Sequence, residues 1–308
     1  MPIKIVEGLP IRKELKREQI VTMDESTART QDIRPLKILI LNLMPKKETT
    51  ELQLLRLLGN TPLQIEVDLM YTATYEASNT PISHLNQYYK TFDEIKDQQY
   101  DGLIITGAPV EQFEYNEVNY IDELKTILDW SQKNVFSRLF ICWGAQYALN
   151  YFYDIDNYKL EQKLFGIYEY DVLEADHPLL RGFNDTYQVP QSRHTSISIE
   201  TIQAQKDLRI TTKHPKFGPD IITTTDNLDI FLLGHLEYDR ETLHQEYQRD
   251  KEAGSKIALP ENYYPGDDDS KTPKFTWKSN AFLLYNNWLN EVYQRTYYNL
   301  EDILKEDK

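Results

Sequence analysis

Four short apolar runs, separated by helix-like stretches, constrain the fold of this chain most. The runs are KILILNLM (37–44), QIEVDLMY (64–71), DGLIITG (101–107) and RLFICWG (138–144). Continuous apolar runs of this length are typical of strands that are buried on both faces. Their alternation with helices predicts an α/β fold with a doubly wound, mostly parallel sheet. Sites in such folds lie at the carboxyl ends of the strands, so the turns after the first, third and fourth runs are the first places to look for function.

Two stretches between the runs have helical periodicity. In ETTELQLLRLLGN, which closes with the stop signal Gly59-Asn60, we expect one stripe to face the core, formed by Leu52, Leu55 and Leu58. In NEVNYIDELKTILDWSQKN, the apolar positions at helical spacing are Val118, Ile121, Leu124 and Leu128. Both stretches are predicted to be helices that pack on the sheet.

The later part of the chain is less regular. DIFLLGHLEYD (229–239) predicts another buried strand, and a charged helix follows it and closes at Gly254. An aromatic helix is predicted over about 280–297, with a packing face of Phe282, Leu283, Tyr285, Trp288, Leu289 and Val292. Residues 1–34 are polar and predict an N-terminal arm. Residues 35–308 predict one domain that ends in the C-terminal helix.

Composition excludes several functional classes. The net charge of −15, from 34 Lys+Arg and 49 Asp+Glu, argues against non-specific binding to nucleic acid or anionic membranes. A single cysteine excludes an internal disulfide or a CxxC site and fits a reducing compartment. No signal peptide or membrane span is visible, so we expect a cytoplasmic protein. The run Asp267, Asp268 and Asp269 is typical of a solvated loop, and we assign no metal.

The single cysteine, Cys142, lies where the fourth apolar run meets Gly144 and a helix-like stretch. A lone cysteine among apolar neighbours is most often a small buried core residue. A strand-to-helix turn is also where nucleophiles are displayed, because the helix dipole favours a thiolate. The Trp143 N–H would then point at an oxyanion on the attacked carbonyl. Taken alone, the residues around Cys142 leave both interpretations open.

A cysteine nucleophile needs a base, and His235 is the best placed of six histidines. It ends the predicted strand in LLGHLEYD, on the same sheet edge as Cys142. The other five, His84, His177, His194, His214 and His244, lie in loops or polar stretches. Glu237 follows two residues after His235, a spacing that returns both side chains to one side of an extended chain and lets the carboxylate orient the imidazole.

The CWGAQ and HLE motifs resemble the nucleophile turn and the H-x-E element of class I glutamine amidotransferase-like (flavodoxin-like) folds. Further motifs, from about residue 35 to 296, resemble the homoserine O-acyltransferase family of methionine biosynthesis: ILILNLMPKK, ITGAPVE, FICWGAQYALN, KLFG, HPLLRGF, SRHT, GHLEYDRETLHQEYQRD and TWKSNAFLLYNNWLN. A generic glutaminase would share only the CWGAQ and HLE motifs.

The resemblance implies a ping-pong transfer of an acyl group from acyl-CoA to L-homoserine, in a homodimer and with no cofactor besides the acyl-CoA co-substrate. Cys142 would carry the acyl group, and His235 would move the protons with Glu237 behind it. The implied substrate-binding residues are Lys163, Ser192 and Arg249. Gly107 and Ala108 can supply a second oxyanion N–H, and Lys46 and Lys47 can meet the CoA phosphates or the oxyanion. A glutaminase-like hydrolase and a non-catalytic binding module are the alternatives.

Glu111, in GAPVE, is the residue that indicates which acyl group is transferred. The resemblance associates glutamate here with acetyl transfer and glycine with succinyl transfer, so acetyl-CoA is the predicted donor and succinyl-CoA the alternative. A carboxylate beside the acyl pocket would occupy space and repel the free carboxylate of a succinyl group. Two residues depart from the family pattern, since Leu236 replaces a usual proline and His194 a common tyrosine. Neither removes a catalytic atom, but both put fine positioning in question.

Overall fold

A computed structural model describes residues 34–74, 80–254 and 257–305, together with two short strands near the N-terminus. In chain order the strands are β1 (Ile3–Lys4), β2 (Thr22–Met23), β3 (Leu36–Leu41), β4 (Ile65–Met70), β5 (Tyr89–Lys90), β6 (Tyr100–Ile105), β7 (Val135–Ile141), β8 (Asn157–Val172), β9 (Thr186–Ile197), β10 (Leu208–Ile210), β11 (Thr212–His214), β12 (Gly218–Pro219), β13 (Ile221–Thr224) and β14 (Asp229–Leu232). β1 and β2 pair in parallel. The rest of the predicted arm, up to residue 33, lies outside the described residues.

The helices lie between these strands and after them. They are α1 (Lys47–Leu58), α2 (Ile82–Tyr88), α3 (Phe92–Ile95), α4 (Ile121–Asn134), α5 (Trp143–Tyr153), α6 (Ile199–Gln203), α7 (Thr242–Glu252) and α8 (Lys278–Arg295). Short 3₁₀ turns occur at Tyr115–Glu117, Pro178–Leu180, Pro265–Asp267 and Leu300–Lys305. Within the described ranges, no helix has the length and apolar character needed to cross a membrane.

The central sheet has the strand order β10-β13-β14-β7-β6-β3-β4-β5. Neighbours from β14 to β5 are parallel, whereas β13 pairs antiparallel with both β14 and β10. This confirms the predicted mostly parallel α/β sheet. Each of the four apolar runs named in the sequence analysis overlaps with a strand, and the run at 229–239 contains β14.

Both faces of the sheet are covered, as a doubly wound fold requires. Successive residues of a strand point to opposite faces. Accordingly, Ile38 and Ile40 of β3 belong to the core cluster that includes side chains of α1 and α8. Leu39 and Leu41 belong to the cluster that includes α4 and α5. The apolar composition of β3 is therefore explained by burial on two sides.

The predicted apolar stripe of α1 is wrong. Leu52 and Leu55 are 57% and 40% exposed, and of the predicted leucines Leu58 alone is buried. The inward face consists of Lys47, Thr50, Gln53, Leu54, Leu57 and Leu58. A polar residue can take an inner position here because the Gln53 amide donates a hydrogen bond to the Thr242 hydroxyl at 3.0 Å.

The other two predicted packing faces, those of α4 and α8, agree better with the structure. All four predicted apolar positions around α4 are buried. Helix α8 is confirmed, with Tyr285, Trp288, Leu289 and Val292 buried. Leu284 also lies inward, which was not predicted, while Phe282 and Leu283 are only half-buried.

A second, antiparallel sheet has the order β12-β11-β8-β9 and was not predicted. Its long hairpin pairs β8 with β9 and has an irregularity between Lys159 and Leu164. The loop before Tyr263 packs against β8 at Gly166, where φ is +146° and a Cβ would lie 2.3 Å from the Glu261 carbonyl oxygen. Only glycine permits this close approach. The second sheet supplies part of the candidate site.

Candidate active site

Cys142 occupies a sharp turn between β7 and α5. Its φ of +50° and ψ of −114° fall in a region that non-glycine residues rarely adopt. Its N–H donates to the Leu232 carbonyl oxygen at 2.7 Å, and its own carbonyl accepts from the Gln146 N–H at 3.0 Å. Strain of this kind persists where the surrounding structure fixes it, and it is concentrated at functional sites. The predicted strand-turn-helix around the cysteine is present.

The carboxyl ends of β7 and β14 bring His235 beside Cys142. Ile141 and Leu232 are register partners in this parallel pair, so the residues that follow each strand emerge side by side. The His235 Nδ1 and Glu237 Oε1 atoms are 2.6 Å apart. A Cβ added to Gly107, after β6, would lie 3.3 Å from the Cys142 Cβ and 3.5 Å from the His235 Cε1. Turns from three strands therefore meet at one point.

The surroundings of His235 favour the imidazolium. Burial by itself lowers its pKa, but the charges of Cys142 and Glu237, and hydrogen bonds to both, raise the pKa well above the usual value. A cationic imidazole beside the sulfur stabilises a thiolate, which is the nucleophilic form of cysteine. The Cys142 and His235 side chains are almost fully enclosed, at 2% and 3% exposed. The arrangement has the parts of a nucleophile, a base and an orienting carboxylate.

A cavity of about 930 Å³ opens onto Cys142 and His235. The predicted residues Gly107, Ala108, Glu111, Lys163, Ser192 and Arg249 also line it. Glu237 lies behind His235, and Trp143 is fully buried. The structure thus brings the predicted catalytic, substrate-binding and acyl-specificity residues to one place, from the sheet edge, the second sheet and α7.

The remaining oxyanion candidates have different positions. The Trp143 N–H is in the first turn of α5, where N–H groups have no acceptor within the helix. Lys47 is buried, and its ammonium donates to the carbonyl oxygens of Asn42 at 2.5 Å and Met44 at 3.5 Å. Burial lowers the pKa of Lys47 to about 8. Lys46 is exposed, and neither lysine is among the residues that line the cavity.

Glu111 is held in a fixed position at the cavity wall. Its Oε2 accepts the His194 backbone N–H at 2.6 Å. Burial raises the pKa of Glu111, opposed by that hydrogen bond and by the charges of His194, His235 and Lys163. The Glu111 carboxyl group therefore lies, in the turn after β6, on the same cavity as Cys142 and His235. His194 itself lines the cavity and lies in β9, although it was one of the five histidines that the sequence analysis assigned to loops or polar stretches.

Sequence analysis missed Glu246, a carboxylate at the centre of the polar wall. It accepts the Ser192 hydroxyl at 2.5 Å and the Tyr238 hydroxyl at 2.9 Å, and it lies 3.7 Å from the Lys163 ammonium. Asp250 also lies 3.6 Å from Lys163 and bonds Arg249 at 2.7 Å. The sequence signal for this group was the spacing of Glu246, Arg249 and Asp250, which places the three side chains on one face of a helix. Acidic and basic side chains therefore alternate on this wall.

Comparison with known proteins identifies the family. The model of the family described as homoserine O-succinyltransferase matches residues 2–298. This chain belongs to that family. Its membership confirms the predicted resemblance and shows that the protein is an acyltransferase.

Curated relatives of this homoserine acyltransferase are similar over almost their whole length. A homoserine O-acetyltransferase of Clostridium botulinum (strain Eklund 17B / Type B) is 51% identical over 306 residues, covering 99% of this chain and all of the relative. A homoserine O-acetyltransferase of Lachnoclostridium phytofermentans is 52% identical over 301 residues, covering 97% of this chain and all of the relative. The family model and the relatives thus differ in the acyl group that their names specify.

Solved structures confirm the fold class of this chain. A glutamine amidotransferase from Thermotoga maritima superposes with a TM-score of 0.56 at 13% identity, covering 84% of this chain and 99% of the other. A glutamine amidotransferase from Methylobacillus flagellatus gives a TM-score of 0.53 at 12% identity, covering 84% and 95%. At such low identity the likeness concerns the fold alone.

Proposed function

We propose that this chain is a homoserine O-acetyltransferase that moves the acetyl group of acetyl-CoA to the hydroxyl of L-homoserine through a thioester on Cys142. The observation that carries the proposal is the buried Cys142, His235 and Glu237 arrangement at a cavity whose far wall holds both acids and bases. Relatives about 50% identical over their full length and named homoserine O-acetyltransferase support it. From the family we infer that the reaction belongs to methionine biosynthesis.

In the first half-reaction the Cys142 thiolate attacks the carbonyl carbon of the acetyl thioester. The carbonyl oxygen becomes an oxyanion, to which the N–H groups of Trp143 and Ala108 are offered as donors. The new C–S bond to Cys142 is complete in this tetrahedral intermediate, and its collapse breaks the bond to the CoA sulfur, to which His235 gives its proton. Exchange of one thioester for another costs little, so activation of the thiol and exclusion of water are the main tasks.

In the second half-reaction the homoserine hydroxyl oxygen attacks the acyl-enzyme carbonyl. Neutral His235 takes the hydroxyl proton, the ester forms, and Cys142 leaves as a thiolate beside the imidazolium. Lys163 and Arg249 supply positive charge for the homoserine carboxylate, and Glu246 and Asp250 supply negative charge for its ammonium. Ser192 lines the same cavity wall and donates its hydroxyl proton to Glu246, which holds that carboxylate in place.

Glu111 favours acetyl over succinyl. A succinyl group carries a free carboxylate that would meet the Glu111 carboxyl, which takes up space and, when ionised, repels it by about 4 kcal/mol at 4 Å and an effective dielectric of about 20. The second candidate, transfer from succinyl-CoA, is favoured by the description of the family model. The homodimer and the cytoplasmic location stay predictions from the sequence.

Intact-mass measurement tests the proposal. Incubation with acetyl-CoA should add one acetyl group to the protein, and L-homoserine should discharge it as O-acetylhomoserine. The Cys142→Ala variant should take up no acetyl group. Succinyl-CoA in a parallel arm decides between the two donors. If the wild-type protein gains neither adduct and forms no homoserine ester, the proposed activity is wrong.

A further inference from the structure

Tyr238 touches both halves of the candidate site. Its ring stacks on the His235 imidazole, with centroids 4.1 Å apart and an interplanar angle of 18°. Its hydroxyl donates to the Glu246 Oε1 at 2.9 Å. The side chain is 5% exposed and lines the cavity. One residue therefore connects the proton-transfer imidazole with the Glu246 carboxylate. We call the side of the cavity formed by Lys163, Ser192, Glu246, Arg249 and Asp250 the acceptor wall.

The surrounding contacts fix Tyr238 in this position. Its carbonyl oxygen accepts the Trp277 indole N–H at 2.9 Å, and its own N–H donates to the His235 carbonyl at 3.2 Å. At the other end, Glu246 is held by the Ser192 hydroxyl. The ring cannot swing away from the imidazole without breaking its hydrogen bond to Glu246. A rigid support of this kind is what keeps a catalytic group in its productive geometry.

We propose that Tyr238 is a positioning residue with two separable roles. Its ring fixes the plane of the His235 imidazole and stabilises the imidazolium, and its hydroxyl holds Glu246 where the acceptor amino acid binds. The first role follows from the attraction between a cation and the face of an aromatic ring. The second role rests on the proposed function, because it assigns Glu246 to the acceptor.

Other groups also act on the imidazole charge and stay unchanged when Tyr238 is replaced. Cys142 approaches from the turn after β7, Glu237 from the same loop as His235, and Glu111 from the turn after β6. Tyr285, on α8, interacts with Glu237. The contribution of the Tyr238 ring adds to these, so its removal should weaken the thiolate-imidazolium pair without abolishing it.

Alkylation of Cys142 by iodoacetamide tests the ring. Because Cys142 is the only cysteine of the chain, the modification reports one thiol and needs no substrate. Tyr238→Leu should react about threefold more slowly than wild type near neutral pH, where the thiolate depends on the imidazolium that the lost ring stabilised. Tyr238→Phe, which retains the ring, should react like wild type.

Steady-state kinetics test the hydroxyl. Tyr238→Phe should raise KM for L-homoserine several-fold while leaving the rate of acetyl-adduct formation from acetyl-CoA unchanged. Tyr170→Leu is the matched control, because it removes an equally buried tyrosine that packs on Tyr187 and His214 instead of His235. It should alter neither measurement, and thermal unfolding checks that each variant folds.

Two outcomes overturn the proposal. Alkylation of Tyr238→Leu at the wild-type rate throughout the pH profile would show that the ring does not support the imidazolium. An unchanged homoserine KM in Tyr238→Phe would remove the role of the hydroxyl. If Tyr238→Leu does not fold, Tyr238→Met is the second non-aromatic variant. Failure of the proposed function is distinguishable, because wild type would then form no acetyl-homoserine while the alkylation arm still reports on the ring.

Discussion

Arg138 and Asp229 form a buried two-point ion pair between the strands that carry the triad. The Arg138 Nε and one terminal nitrogen each donate to a different Asp229 carboxylate oxygen at 2.6 Å. The two residues are register partners in β7 and β14. Three residues further along each strand, Ile141 and Leu232 are also register partners. The pair therefore fixes the register that brings Cys142 and His235 together.

Replacing Asp229 by alanine should destabilise the protein strongly. The substitution leaves the Arg138 guanidinium buried without its partner, and breaking a buried pair in this way typically costs about 3–5 kcal/mol. Urea unfolding should show the loss. Lys125→Ala, which breaks the exposed pair between Lys125 and Asp122, is the control and should change the free energy of unfolding by less than about 1 kcal/mol. Equal effects of the two substitutions would contradict the structural role given to the pair.

The sequence predicted the core of the site well because the chemistry follows the sheet topology. Apolar runs identify strands, and parallel strands end at the same edge of a doubly wound sheet. Cys142 follows β7 directly, and His235 lies three residues after the end of β14. The position of Glu237 beside His235 could be predicted from the two-residue spacing between them. None of these steps needs knowledge of packing at a distance.

The acceptor wall was harder to predict because its parts come from the less regular half of the chain. β8 is exposed or half-buried from Asn157 to Lys163 and buried from Leu164 to Tyr168, and its last residues are mixed, so no single alternation runs through it. Glu246 is a helix carboxylate among many, and its role appears only when β9 brings Ser192 to it. The error in α1 has a similar origin, since the hydrogen bond from Gln53 to Thr242 of α7, which lets a polar residue take an inner position, is not visible in the helical periodicity.

Gly144→Ala should disable the nucleophile turn. A Cβ at this position would lie 2.7 Å from the Thr106 carbonyl oxygen and 3.1 Å from that of Ile105, and backbone atoms cannot move aside cheaply. Helix α5 must then shift away from β6 and take Cys142 with it. A displacement of about 1 Å can cost about 100-fold in rate, so we expect a loss of that order in acetyl transfer.

Gly59→Ala is the matched control for this substitution. Gly59 ends α1 with an ordinary helical φ of −75°, and an added Cβ would approach only the Leu55 carbonyl, at 3.0 Å. Acetyl transfer should stay near the wild-type rate. Retention of full activity in Gly144→Ala would show that the turn tolerates a side chain and that the close approach to β6 is not required.

Glu237→Gln should move the basic limb of the acylation rate to lower pH. Although burial lowers the pKa of His235, the charges of Cys142 and Glu237 raise it well above the usual value. Without the Glu237 charge that pKa falls, so the imidazolium that stabilises the thiolate is lost at a lower pH. Single-turnover acylation by acetyl-CoA, measured across pH, reports the shift. A basic limb at the wild-type position would show that Glu237 orients the imidazole without contributing its charge.

Substitutions of Glu111 separate its charge from its volume. Glu111→Gln keeps the size of the side chain but removes the negative charge, whereas Glu111→Gly removes both. If repulsion excludes a succinyl carboxylate, both variants should gain activity with succinyl-CoA. If space excludes it, only Glu111→Gly should do so. The gain should be at least tenfold in kcat/KM, which corresponds to about 1.4 kcal/mol of relieved repulsion or crowding. Activity with acetyl-CoA in the same variants is the control, since an acetyl group carries no charge to repel. Failure of both variants to use succinyl-CoA would place acyl selection elsewhere in the cavity.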